Sequence, residues 1–92
     1  MNFYKEQPLK AVEALIAQYD SYMKGETDLA DLYAEDKADF EKSVELFRAD
    51  DPEELAKFIC YLDTAPRENL VEAFAKDCGE YWVREQLGWE IC

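Results

Sequence analysis

Apolar residues recur at steps of three and four along most of the chain, the spacing that gathers them on one face of a helix. Pro8 opens a first helix on which Leu9, Val12, Leu15, Ile16, Tyr19 and Met23 share a face until Gly25 ends it. Between Thr27 and Ala49 the residues Leu29, Leu32, Tyr33, Phe40, Val44 and Phe47 keep the same period, but Glu35-Asp36 interrupts the seam. Because Asp36 can act as a second N-cap, the reading leans towards two helices, near 28–34 and 37–49, over a single helix across 28–49.

Asp51-Pro52-Glu53-Glu54 is a strong helix start, with a capping aspartate, proline at the first helical position and a glutamate able to reach back. Leu55, Phe58, Ile59 and Leu62 supply that helix's buried face, and Asp63-Thr64-Ala65-Pro66 turns the chain, with Thr64 as the next N-cap. Leu70, Val71 and Phe74 face inward along a fifth segment that Gly79 ends. A last helix carries Tyr81, Trp82, Val83 and Leu87 to Gly88, after which Trp89 and Ile91 fold the tail onto the core. Nothing alternates with a period of two, and no hairpin turn dipeptide occurs. These signals predict an all-α compact bundle of five or six short helices, a single domain over residues 1–92.

Composition agrees, since 49% of residues are hydrophobic and 14% aromatic despite a formal charge of −12. A chain of this length buries roughly 60–65% of its unfolded surface, enough for one core and little room for a deep cavity. No apolar run is long enough to cross a membrane, and the start MNFYKEQP lacks a secretory pattern, so a soluble, cytoplasmic protein is expected. The three cysteines, Cys60, Cys78 and Cys92, are odd in number and widely spaced, which fits a reducing compartment.

Candidate chemistry is sparse. Histidine is absent, which removes the commonest proton carrier and zinc ligand. Cys60 on an apolar face and Cys78 before a glycine read as structural, and Cys92 beside a carboxylate is assigned no role. Asp28, Asp31, Asp36 and Asp39 crowd one region, yet neither DLADLYAED nor DKADFEKSV places oxygens and glycine as a calcium loop requires. No glycine-rich phosphate loop is present. Carboxylates on solvated helix faces serve solubility far more often than catalysis, so no catalytic, cofactor or metal site is expected. The acidic balance also disfavours direct binding of nucleic acid.

The distribution of acids carries more information. Glu26, Asp28, Asp31, Glu35, Asp36, Asp39, Glu41, Glu45, Asp50, Asp51, Glu53 and Glu54 fall within residues 26–54, against only Lys37, Lys42 and Arg48. Asp28, Asp31, Glu35 and Asp39 can form one helical stripe and Glu41 and Glu45 another, with successive charges about 4.5–6 Å apart. Each strand of duplex DNA carries one charge per roughly 3.4 Å, so the array is sparser but similar in scale. Stiff helices holding carboxylates at that spacing can satisfy a cationic groove built for a nucleic-acid backbone.

In this stretch, ETDLADLYAEDKADFEKSVELFRADDPEE, the chain resembles the small acidic DNA-mimic inhibitors of bacteriophages, the class that includes anti-restriction and anti-CRISPR proteins. The resemblance lies in charge, length and helical content and assigns no individual roles. It implies a phage or mobile-element origin, action in the host bacterial cytoplasm, and a partner with a basic nucleic-acid groove, such as a host defence or DNA-processing protein. The alternative is an acidic helical adaptor or regulator unconnected with nucleic acid. Tyr4, Tyr22 and Tyr61 are candidates for exposed contact, and a homodimer is possible if such aromatics cluster on a non-acidic face. Trp82 is expected in the core.

Overall fold

The computed structural model describes residues 3–25 and 28–88, and within them every regular element is helical. The order is α1 (Phe3–Glu6), α2 (Lys10–Gly25), α3 (Ala30–Arg48), α4 (Pro52–Cys60), α5 (Thr64–Cys78) and α6 (Glu80–Trp82), which runs on into a π-helical turn, Val83–Leu87. The bundle is all-α, as the periodicity predicts. The anticipated fold-back of Trp89 and Ile91 lies outside the described residues.

One continuous core joins the elements. Leu9, Val12, Leu15 and Tyr19 meet Phe40 and Phe47, Leu55, Ile59 and Leu62, Leu70, Ala73 and Phe74, and Val83 with Leu87. α2 packs against both α3 and α5, while α4 lies between α3 and the π-helical turn. An aromatic group fills one end: Tyr4, Phe74 and Trp82 surround Phe47, with ring centroids 5.1, 5.7 and 5.5 Å from it. Tyr4 is therefore half-buried rather than exposed, and Trp82 joins the core as expected.

The segment expected to lean towards two helices is one, unbroken from Ala30 to Arg48. Tyr33 and Phe40 lie on either side of Glu35-Asp36, and both pack on Tyr19 of α2, at 5.8 and 4.8 Å between centroids. Asp36 therefore sits inside the helix and caps nothing. Lys37, the next residue, reaches across to Asp20 at 3.2 Å. A seam held on both sides of a polar step leaves no reason for the backbone to break there, and no proline or glycine interrupts it.

Other helix ends are set partly at a distance. Asp51 caps α4 as expected, accepting from the Glu54 amide at 3.2 Å, with Pro52 at the first position. Asp63, not Thr64, occupies the N-cap position of α5, and its side chain makes no capping bond. α2 begins at Lys10 rather than Pro8, and its cap comes from the far end of α5. Asp77 accepts from the amides of Ala11 at 2.8 Å and Val12 at 3.0 Å, while its own carbonyl accepts from Gln7 Nε2 at 2.6 Å. Arg48 plays the matching part at the end of α1, donating to the carbonyls of Tyr4 and Gln7 at 3.2 and 2.7 Å.

Cys60 is disulfide-bonded, whereas Cys78 is a half-buried thiol. A bonded Cys60 removes the argument from reduced thiols for a cytoplasmic protein. No helix among the described residues is long and apolar enough to cross a membrane.

Candidate interaction site on the acidic face

Of the twelve acids, the described ones do not share one face. At about 100° per residue, Asp31, Glu35 and Asp39 form a slowly turning stripe along the outer side of α3, whereas Glu41 emerges roughly 160° round the helix from Asp39. Glu45 lies one turn beyond Glu41 on that second shoulder, and both are exposed. Asp28 is exposed ahead of α3, and Asp50 is exposed in the turn after it, at a positive φ of 61°. Asp51 is engaged as a cap. Glu53 and Glu54 share the single Lys57, 3.5 and 3.6 Å away, which offsets one of their two charges. Glu26 lies outside the described residues.

What the fold does bring together is a smaller group with a member the sequence reading missed. Glu35, Asp36 and Asp39 of α3 and Asp63 from the α4–α5 turn line one shallow groove of about 300 Å³, together with Leu32, Ala38, Tyr61 and Leu62. Partial burial pushes the Asp36 carboxyl above its ordinary value, and repulsion from Asp39, Asp63 and Glu35 adds to the effect. Asp39 is raised as well, first by burial, then by Glu35 and Asp63, with Lys42 opposing. Both shifts mark a place where negative charge is held against partial burial and, to a smaller degree, its own repulsion.

Of the local cations only Lys42 relieves it, and only in part at Asp39. Lys37 is engaged by Asp20, which Lys24 also meets at 2.9 Å, so that the Asp20 carboxyl is held below the ordinary range. Arg48 is turned towards α1. Lys42 lies over the Phe58 ring, 5.4 Å from its centroid, and no lysine or arginine lines the groove.

Of two apolar members of the groove, one departs from expectation and the other meets it. Leu32 was placed in the α3 core seam, yet it is 46% exposed. It stands one turn before Asp36 and two before Asp39, on the acidic side of the helix and away from the Tyr19 contact. Tyr61, among the candidates for exposed contact, is 88% exposed. No local sequence signal marks Asp63 as a partner of Asp39, because only the turn after α4 carries it back to α3.

Elsewhere the chemistry is quiet. Among the described residues no three carboxylates or thiols are grouped to hold a metal ion. Burial, and secondarily the neighbouring Asp77, push the Cys78 thiol up to about 12. A thiol so placed is not a nucleophile near neutral pH. No family model, curated protein or solved structure matches the chain.

Proposed function

We propose that the protein is a non-catalytic inhibitor that imitates the charge of a nucleic acid and blocks the basic groove of a host defence or DNA-processing protein. The observation that carries this reading is the groove edged by Glu35, Asp36, Asp39 and Asp63, whose carboxylates, partly buried at Asp36 and Asp39, repel one another, with Lys37 engaged by Asp20 and only Lys42 offsetting part of the charge at Asp39. Solubility alone does not call for charges gathered until they raise each other's pKa. A cationic partner turns that repulsion into attraction, and it does so most strongly at low salt. Asp28, Asp31, Glu41, Glu45 and Asp50 are exposed beyond this focus and add a wider negative field that speeds encounter. On this reading the site of action is the bacterial cytoplasm.

An acidic helical adaptor remains the second reading, favoured by the exposure of Tyr61 and of Tyr81, which is 77% exposed. The two separate in one experiment. The chain is immobilised, a protein is captured from bacterial lysate, and duplex DNA or RNA is added in competition. Mimicry requires mutual exclusion, steep salt dependence, and loss of capture when Asp31, Glu35 and Asp39 are together replaced by lysine with the helical spectrum retained. A partner that holds the chain and its nucleic acid at once refutes it.

A further inference from the structure

The groove contains more than charge. Tyr61 follows α4 with its ring almost wholly in solvent, and Leu32 projects from α3 beside it, both lining the same 300 Å³ space as the four carboxylates. Isolated exposed apolar residues are ordinary. Here, however, they share one groove with four carboxylates, of which Asp36 and Asp39 are half-buried and so partly withdrawn from water. An occupant that suits this surface must be cationic and apolar together.

Arginine is the side chain with those properties. Its guanidinium is planar and weakly hydrated, bonds carboxylates through paired N–H groups, and stacks on aromatic faces. A lysine ammonium holds its water more tightly and gains less from Tyr61. A phosphate-binding groove lined by lysine alone would match the carboxylates but leave Leu32 and Tyr61 uncovered.

We propose that this groove docks an arginine-bearing, partly apolar segment of a protein partner, with a guanidinium set among Glu35, Asp36, Asp39 and Asp63 against Tyr61, and a neighbouring apolar side chain on Leu32. The inference rests on the acid-face reading above and narrows it, because it assigns the partner a mixed contact rather than charge alone.

Two synthetic peptides of equal charge test it on the full chain: one of arginine and leucine, one of lysine and serine. Calorimetry gives affinities, and amide shifts in a nuclear magnetic resonance titration locate the contact. The arginine–leucine peptide should bind roughly tenfold tighter and shift residues 32–39 and 61–63; Tyr61→Ala should cost it roughly fivefold, the scale of one cation–π contact. Leu32→Ala should weaken it too, while Asp39→Asn weakens both peptides. Leu32 and Tyr61 are exposed, so both variants should melt as the parent does.

Equal affinity for the two peptides, with Tyr61→Ala silent and lysine substitution at Asp31, Glu35 and Asp39 abolishing binding, would overturn this inference and leave charge mimicry standing. Binding that ignores both Tyr61 and the carboxylates would sink the two together. Shifts confined to another surface would likewise overturn the docking site.

Discussion

Asp77 fastens the start of α2 from a position 66 residues away, and removing its carboxylate should loosen that start without opening the core. Two amides of the first turn, Ala11 and Val12, donate to it at 2.8 and 3.0 Å. Loss of a helix cap costs about 0.5–2 kcal/mol, and a negative charge at a helix N-terminus contributes about 0.3–1 kcal/mol. Asp77 is half-buried, so water replaces these bonds only in part. Asp77→Ala should therefore destabilise the fold by about 2 kcal/mol. For a domain of 92 residues this corresponds to a fall in Tm of roughly 8–16 °C. Asp77→Asn retains one acceptor and no charge, and should lose about half as much. Thermal and urea melts followed by circular dichroism give the magnitudes, and hydrogen exchange at the amides of Ala11 and Val12 locates the effect. A loss below about 0.5 kcal/mol for Asp77→Ala, or unchanged protection at those two amides, would refute the distant cap.

The acidic groove predicts the opposite sign. Asp36→Asn and Asp39→Asn should each stabilise the fold at pH 7, because the folded protein holds those carboxyls above their ordinary value of 3.8. The native chain binds more protons than the unfolded one in that window, so the cost of ionisation is absent below 3.8 and fully felt above the raised value. Urea melts from pH 7 downward should show each variant's advantage shrinking towards pH 3.8; an advantage that grows on acidification contradicts the argument. Phe47→Ala empties a site with no exposure at the centre of the aromatic group and should cost about 3–5 kcal/mol, visible as a large fall in Tm or a lost cooperative melt. Cys78, with its thiol pushed up to about 12, should resist alkylation at pH 8 in the native protein and react in urea. Rapid native labelling at that cysteine is the contrary result.

Local signals were legible in the sequence wherever cause and effect lie within one helical turn. Asp51 and Pro52 open α4, Gly25 and Gly79 mark helix ends, and the three- and four-residue steps pick out Val12, Leu15, Phe40, Phe47, Leu55 and Ile59 for burial. Interactions that need the completed fold were not. α3 is continuous because Tyr19 of a different helix grips it on both sides of Asp36. Periodicity counts Leu32 as apolar without knowing that α2 does not cover that side, so it could not foresee an exposed leucine. In the candidate site, the density of acids along α3 was readable, but which of them act together was not. Asp63 joins Asp36 and Asp39 through tertiary folding, while Lys57 offsets part of the charge of Glu53 and Glu54 through local helical spacing.

The contact of Tyr4 with Trp82 fixes an order of events during synthesis. Trp82 Nε1 donates to the Tyr4 hydroxyl at 3.4 Å across 78 positions, and the same indole packs on Phe47 and Phe74. α1 can rest on Phe47 of α3 once α3 has emerged, as α2 and α3 can already pair, but the Tyr4 hydroxyl gains its indole partner only when residue 82 leaves the ribosome. Until then Phe3, Tyr4 and Phe47 form an uncovered greasy edge on the nascent chain, and this is the interval in which a holding chaperone would find something to grasp.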